Sequence, residues 1–235
     1  MDITNIDDLK DVISRFIKKH MFAMRSEFMH PYAGLRALAY IDTIKYIQQN
    51  LKSAIVCKDQ NEVFNFAVSN IEIAGMNAEF GVKDGLTLKA LSQKKALKNK
   101  IIYGFDSFEG LPDHWLGTRV KKGRLTRNGE IPKLPKNVEA VKGLFAESLP
   151  EFLSDKKEPF AFIHVDCDIY QSTKDIFDNI ANFVTKGTVI IFDEYFNYPN
   201  WQEHEFKAFA EFVQRNNLDY KYLAYASTQV AVKII

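Results

Sequence analysis

The stretch Phe160-Ala-Phe-Ile-His-Val-Asp166-Cys-Asp168 is an apolar run that ends in two acids. A second run, Thr188-Val-Ile-Ile-Phe-Asp193-Glu194, is built in the same way. Near-continuous apolar runs of this length are typical of central strands in a parallel sheet that is covered on both faces. Ligands of open α/β sheets bind outside the carboxyl ends of the strands, so both acidic pairs are expected to face one crevice.

Four carboxylates in one crevice repel one another unless a cation or a proton lies among them. Ligand sets made only of oxygen favour a hard cation such as Mg²⁺, Mn²⁺ or Ca²⁺ over zinc. Two alternatives remain open: Asp193 and Glu194 cap the next turn, and backbone amides hold Asp166. The sequence therefore predicts a divalent cation site at the ends of these two strands.

The rest of the chain alternates strands and helices from about residue 75 onward, which predicts a doubly wound, Rossmann-like α/β sheet, mostly parallel. The last two apolar segments predict a C-terminal hairpin that adds an antiparallel strand at one edge. Helical spacing over residues 4–50 predicts an N-terminal helical extension. We therefore divide the chain into residues 1–74, an extension or lid, and residues 75–235, the main domain.

Further helices are expected over residues 61–74, 85–97, 148–153, 172–184 and 202–215. Residues 107–136 are expected to form a long loop that contains Gly and Pro and is rich in Lys and Arg. Such loops in compact domains are usually functional. Two interpretations of its basic side chains are open: they bind a phosphate or nucleotide, or they form a solvated surface. These side chains are Lys121, Lys122, Arg124 and Arg127.

Composition describes an ordinary globular protein of 235 residues, 46% hydrophobic and 26% charged. The net charge of +1 gives no argument for a nucleic-acid or anionic-membrane partner. Cys57 and Cys167 are far apart and form no metal or redox motif, so reduced thiols in a cytoplasmic protein are expected. No apolar run reaches the roughly 18–20 residues that a membrane span needs.

The segment Glu79-Phe-Gly81-Val-Lys-Asp-Gly85-Leu-Thr87 lies between a predicted strand and a predicted helix. Gly81 allows a tight turn and the close approach of a ligand, and Gly85 opens the helix. The spacing is not G-x-G-x-x-G, which disfavours an NAD-dependent oxidoreductase.

Asp106 follows Gly81 by 106 − 81 = 25 residues. An acid there is placed to accept hydrogen bonds from ribose hydroxyls. The alternatives are a simple turn at Gly81 and a turn cap at Asp106-Ser107.

Several blocks together resemble the macrocin O-methyltransferase family, whose members use S-adenosylmethionine to methylate sugar hydroxyls. The resemblance covers about residues 75–215. Its blocks occur in order as Glu79-Phe-Gly-Val, Phe105-Asp-Ser-Phe-Glu-Gly-Leu-Pro112, Lys142-Gly-Leu-Phe-Ala-Glu-Ser-Leu-Pro150, His164-Val-Asp-Cys-Asp-Ile-Tyr-Gln-Ser-Thr-Lys174 and Phe192-Asp-Glu-Tyr195.

The resemblance implies an S-adenosylmethionine-dependent O-methyltransferase with Asp168 as general base. It implies that Mg²⁺, or Mn²⁺, is held by Asp166, Asp193 and Glu194. The implied acceptor is a small molecule, a sugar or a nucleotide-linked sugar, and the implied assembly is a homo-oligomer. The cofactor contacts it implies are Glu79, Gly81, Gly85, Thr87, Asp106, Ser107, Glu147, Ser148 and Asp166.

The chain departs from the family pattern in three places. Glu194 stands where Asp is common, Lys83-Asp84 stands where an aromatic and a basic residue are frequent, and residues 197–205 replace a Gly-Ala-Arg-like stretch. The third departure lies near the acceptor site and leaves other functions open. These are methylation of a non-sugar small molecule at oxygen or nitrogen, and a cofactor-binding scaffold without catalysis.

Overall fold

The computed structural model describes residues 30–235, in which eight strands form one sheet flanked by helices. The part of the predicted extension before residue 30 lies outside the described residues. The strands are β1 (Ile55–Val56), β2 (Met76–Phe80), β3 (Ile102–Asp106), β4 (Val138–Lys142), β5 (Phe160–Val165), β6 (Val189–Phe192), β7 (Tyr220–Tyr225) and β8 (Val230–Ile234). The α-helices are α1 (Pro31–Asn50), α2 (Gln60–Ser69), α3 (Leu86–Ser92), α4 (Phe145–Leu153), α5 (Tyr170–Ile180) and α6 (Glu205–Arg215).

The strand order in the sheet is β1-β7-β8-β6-β5-β2-β3-β4. Every pairing is parallel except those of β8, which runs antiparallel to β6 and β7. The predicted fold class is thereby confirmed, including the C-terminal hairpin. The antiparallel strand β8 lies inside the sheet rather than at the predicted edge, because β7 and β1 continue the sheet beyond it. Phe80 pairs with Val165, and Val165 pairs with Phe192, so β2, β5 and β6 end level with one another. The residues that follow these three strands therefore meet at one edge.

The two acid-tipped apolar runs form β5 and β6, whose residues are all buried. Helices α5 and α6 cover one face, where the rings of Phe177 and Phe212 stack with centroids 4.5 Å apart. Helices α2 and α3 cover the other face through Phe64 and Leu88, among other residues. Burial on both faces explains why β5 and β6 carry no alternation of polar and apolar residues.

Several boundaries differ from the sequence predictions. Helix α2 ends at Ser69, α3 ends at Ser92, and α5 ends at Ile180, where a 3₁₀ turn continues to Phe183. Helix α4 begins before the predicted residue 148; no side chain caps its first turn, so no capping signal marked its start. Strand β1 was not predicted, because two residues are too few to carry a periodic signal.

Helix α1 contacts the rest of the protein through a small part of its surface, which includes the buried residues Ala39 and Thr43. The Tyr46 hydroxyl hydrogen-bonds the Tyr222 hydroxyl, which also lies 2.9 Å from that of Tyr195 and 3.2 Å from that of Tyr220. We call these four residues the tyrosine cluster. The helix is thereby joined to β7 and to the chain that follows β6.

The predicted division after residue 74 stays a prediction. Strand β1 and helix α2 precede that point, yet β1 pairs with β7 and α2 packs against the sheet. Among the described residues, no helix combines the length and apolar character that a membrane crossing requires.

Candidate active site

A cleft of about 230 Å³ opens at the carboxyl edge of the sheet, where β2, β3, β4 and β5 end. Its walls combine glycine backbone, apolar side chains and acids. The residues that line it are Gly81, Val82, Lys83, Asp106, Ser107, Gly110, Leu111, Pro112, Leu125, Gly143, Leu144, Phe145, Ala146, Asp166, Cys167, Asp168, Gln171, Ser172 and Asp175.

Gly81 shapes the floor of this cleft. Its φ is +95°, and a Cβ at this position would lie 1.7 Å from the carbonyl oxygen of Asp166. The Gly81 N–H donates to the Phe105 carbonyl at 2.9 Å, and the Asp166 N–H donates to the Phe80 carbonyl at 2.8 Å. Only glycine therefore permits the loop after β2 to lie directly against the end of β5.

Asp106 holds the turns around the cleft together. One carboxylate oxygen, Oδ2, accepts hydrogen bonds from the N–H groups of Val82 at 2.8 Å and Lys83 at 2.7 Å. The other, Oδ1, accepts from the Phe108 N–H at 2.7 Å. The side chain thus caps residues 81–85, which we call the glycine loop, and its own turn. It also lines the cleft. Both functions that the sequence allowed for Asp106 are compatible with this geometry.

We expect Asp106→Asn to lower the free energy of unfolding by about 1–3 kcal/mol, because an amide group would face a backbone N–H that loses its acceptor. Urea unfolding measures the change. Asp84→Asn is the matched control: Asp84 lies in the loop that Asp106 caps, is exposed, and makes one ion pair, with Arg127 at 2.6 Å. That variant is expected to lose at most about 1 kcal/mol. Equal losses in the two variants would contradict the role given to Asp106.

The acids brought together at this edge are Asp166, Asp168 and Glu194, each with an oxygen within 4.8 Å of the others. We call them the acid cluster. Asp168 has a φ of +68°, a conformation that Asp tolerates better than most residues and that sets the direction of its side chain. Asp166 and Asp168 also line the cleft. Oε2 of Glu194 is buried without a hydrogen-bond partner among residues 30–235.

The surroundings of the acid cluster disfavour three charged carboxylates and favour their protonation or the binding of a cation. Burial, reinforced by neighbouring carboxylates, raises the pKa of Asp166 and of Glu194 well above the ordinary values. Burial and the charge of Asp193 raise the pKa of Asp168 to about 7, although the nearby Lys83 ammonium opposes that shift. A buried, unpartnered carboxylate oxygen beside two further carboxylates fits a hard divalent cation.

Asp193 lies beside the acid cluster. Its Oδ1 accepts hydrogen bonds from the side-chain amides of Gln60 and Gln229, the latter at 3.2 Å. The same oxygen is 3.9 Å from Nε2 of His164. Its assignment as a metal ligand stays a prediction. In the structure, Asp168 rather than Asp193 completes the acid cluster with Asp166 and Glu194. Asp193 is hydrogen-bonded by two glutamines instead.

Glu79 and His164 form a fully buried pair beneath this edge, with Oε2 and Nδ1 2.9 Å apart. Burial alone would lower the pKa of His164, but the hydrogen bond and charge of Glu79 raise it to about 9. The pair therefore holds a proton at neutral pH. Glu79 is outside the cleft lining, so its predicted contact with a cofactor stays a prediction.

The other predicted cofactor residues divide among three places. Ser107 lines the cleft with Gly81, Asp106 and Asp166. Gly85, at φ +69°, precedes α3 and packs against Leu134. Thr87 lies within α3, outside the cleft lining. Glu147 and Ser148 border a separate depression beside β4, where the Ser148 hydroxyl donates to the Leu144 carbonyl at 3.0 Å.

Sequence reasoning missed Glu205, the first residue of α6, which is completely buried next to the acid cluster. Its Oε2 accepts a hydrogen bond from the backbone N–H of Glu194 at 3.2 Å. An acid in the first helical turn is usually an exposed partner of the helix dipole, so the sequence offered no signal for this position.

The long loop after β3 packs on the chain that follows β6. The rings of Trp115 and Tyr198 contact edge to face with centroids 5.5 Å apart, and His204 Nε2 lies 2.8 Å from the Leu116 carbonyl. Arg127 pairs with Asp84, whereas Lys121, Lys122 and Arg124 are exposed. The loop is therefore fixed against Tyr198, whose hydroxyl donates to the Glu194 carbonyl at 3.2 Å.

Residues 78–195 match the model of a protein family described as a methyltransferase domain. The chain belongs to this family. The matched segment contains the glycine loop, Asp106 and the three members of the acid cluster. The sequence prediction of a methyltransferase is thereby confirmed. No protein in a search of curated proteins matches the chain.

Two solved methyltransferase structures show the same fold. The calicheamicin methyltransferase CalS11 has a TM-score of 0.60 and 21% identity, covering 74% of this chain and 77% of its own. The O-methyltransferase NovP has a TM-score of 0.55 and 20% identity, covering 74% of this chain and 78% of its own. At these identities the likeness establishes the fold of this methyltransferase and not its acceptor.

Proposed function

We propose that this methyltransferase transfers the methyl group of S-adenosylmethionine to a hydroxyl of a sugar or nucleotide-linked sugar, with a divalent cation at the acid cluster. One observation carries the proposal: Asp166 and Asp168 belong both to the cleft lining and to the acid cluster. A methyl donor in the cleft and a hydroxyl at the acid cluster would then be neighbours.

The cleft suits the donor in position and lining. It lies at the carboxyl ends of the strands, where ligands of open α/β sheets bind. Leu111, Leu144 and Phe145 supply apolar surface for an adenine ring, and the backbone at Gly81 allows close approach. Asp106 and Ser107 supply polar groups at the end of β3, where ribose hydroxyls bind in folds of this kind.

The proton of the acceptor hydroxyl needs a base. We assign Asp168 to this role, because it is nearly fully buried and belongs to both the cleft lining and the acid cluster. Asp166 and Glu194 would hold Mg²⁺ or Mn²⁺, together with Asp193 if its second carboxylate oxygen takes part. When bound, such a cation lowers the pKa of a coordinated hydroxyl and fixes its position.

Two observations favour a sugar nucleotide as the first acceptor to test. A second CalS11 structure, with a TM-score of 0.53 and 21% identity, is named as a TDP-rhamnose 3′-O-methyltransferase. In this chain, Lys121, Lys122 and Arg124 are exposed on the loop that packs beside Glu194. Basic side chains there could bind a diphosphate. A cytoplasmic location and a homo-oligomeric assembly remain predictions.

The decisive assay supplies S-adenosylmethionine with an isotopically labelled methyl group to the protein and a panel of nucleotide sugars, free sugars, phenols and amines. We expect mass shifts on nucleotide sugars, their loss in EDTA, and recovery with added Mg²⁺ or Mn²⁺. Full transfer in EDTA would contradict the cation role. Label found only on phenols or amines would contradict the sugar acceptor, and calorimetric binding of S-adenosylmethionine without transfer to any acceptor would favour a scaffold.

A further inference from the structure

Glu205 is a buried acid whose position the proposed reaction leaves unexplained. Its side chain is 0% exposed. Oε2 accepts the hydrogen bond from the Glu194 N–H, while Oε1 is buried without a partner in the part of the chain that the structure describes. A cap for the backbone of Glu194 requires only one of these two oxygens.

The surroundings of Glu205 are acidic. The carboxylates whose charges act on it most strongly are those of Asp168, Asp166 and Asp193. A carboxylate taken out of water beside other carboxylates destabilises the fold unless positive charge or hydrogen-bond donors compensate it. An oxygen that has no partner among residues 30–235 is therefore expected to have one beyond these residues, and a cation at the acid cluster, with its bound water, would supply it.

We propose that Glu205 is a positioning residue of the cation site, and that its free Oε1 accepts a hydrogen bond from a water molecule carried by the cation. Mg²⁺ gives up its water reluctantly and usually keeps several molecules in its shell. Residues behind the ligands commonly orient such shells by hydrogen bonding. Oε2 would meanwhile fix the backbone of Glu194, one of the proposed ligands. The inference rests on the proposed function, because it requires a cation at the acid cluster.

Glu205→Gln tests this assignment, because the amide keeps the shape of the side chain and an acceptor for the Glu194 N–H but removes the charge. Calorimetric titration with Mg²⁺ alone and with Mn²⁺ alone is expected to show affinity reduced about 10- to 100-fold.

Glu203→Gln is the matched control. Glu203 is two residues away, its side chain is 64% exposed, and it pairs with Lys207 at 2.8 Å. The substitution makes the same change in charge without burial, so cation affinity is expected to match that of the unmodified protein. Glu205→Asp, which keeps the charge on a shorter side chain, is expected to bind the ions with intermediate affinity.

The outcomes separate the inference from the function on which it rests. If the unmodified protein binds Mg²⁺ or Mn²⁺ and both Glu205 variants bind equally well, Glu205 only caps the backbone and the inference is wrong. If the unmodified protein binds neither ion, the proposed cation-dependent reaction fails first. Circular dichroism of each variant establishes that the comparison is made between folded proteins.

Discussion

Replacing Asp168 by asparagine is expected to lower kcat for methyl transfer by about 10²- to 10⁴-fold, the usual contribution of a general base. Asparagine has nearly the same shape, but its amide cannot take a proton from the acceptor hydroxyl. Asp168 lies in the acid cluster and in the cleft lining, so it is placed to meet both the cation and the acceptor.

Two measurements distinguish the roles that Asp168 could have. Steady-state kinetics give kcat and KM, and calorimetry with Mg²⁺ gives cation affinity. A base predicts that kcat falls while cation affinity stays within a few fold. Loss of cation affinity in parallel with kcat would make Asp168 a ligand and contradict its assignment as base. Asp155→Asn, at a side chain that is 76% exposed, makes the same chemical change elsewhere and is expected to leave both quantities unchanged.

Replacing Gly81 by alanine is expected to lower the free energy of unfolding by about 4 kcal/mol or more, a size seen only for severe steric or burial defects. The added Cβ would lie 1.7 Å from the backbone oxygen of Asp166, and a backbone atom cannot rotate away as a side chain can. Either the glycine loop or the end of β5 must move. Because Asp166 follows β5 directly, the affinity for S-adenosylmethionine is expected to be lost as well.

Gly123→Ala separates the clash from the backbone strain. Gly123 also has a positive φ, +77°, but no atom lies within 4 Å of the position its Cβ would take. Alanine there carries only the strain of the left-handed conformation, about 1–2 kcal/mol. Urea unfolding curves of both variants, with calorimetry of S-adenosylmethionine, make the comparison. Similar destabilisation in the two variants would show that the clash with Asp166 adds nothing to the free-energy cost of backbone strain.

The sheet and the meeting of the acids were predictable because the signals are local. Strands β5 and β6 are apolar runs that end in acids, and parallel strands bring their carboxyl ends to the same edge. Gly81 was predicted to allow a tight turn and the close approach of a ligand; the close contact that the structure shows there is with the Asp166 backbone. The resemblance added the expectation of a methyltransferase, which the family match confirms.

The local sequence did not show which acids lie together and which accept hydrogen bonds from other side chains. Asp168 joins Asp166 and Glu194 because its backbone turns into the left-handed region directly after β5. The hydrogen-bond partners of Asp193 are Gln60 and Gln229, which lie 133 and 36 residues away in the chain. No periodicity or spacing encodes which amide reaches which carboxylate.

The burial of Glu205 likewise could not be predicted from the local sequence. The start of α6 was expected near residue 202, and an acid close to a helix start is ordinarily solvated. Here a 3₁₀ turn at Trp201–Glu203 comes first, so Glu205 begins the α-helix and points inward. A shift of a few residues in a helix start is enough to exchange a surface acid for a buried one.

The tyrosine cluster also bears on how far this protein can be shortened. A recombinant fragment starting at residue 75 would keep the family segment but lose Tyr46. The ring of Tyr46 packs against those of Trp201 and Phe206 at centroid distances of 5.5 and 5.2 Å. The fragment would also lose Thr43, whose hydroxyl accepts the Asn197 N–H at 2.9 Å, three residues beyond Glu194. Soluble expression and crystallisation should therefore start from a chain that retains α1.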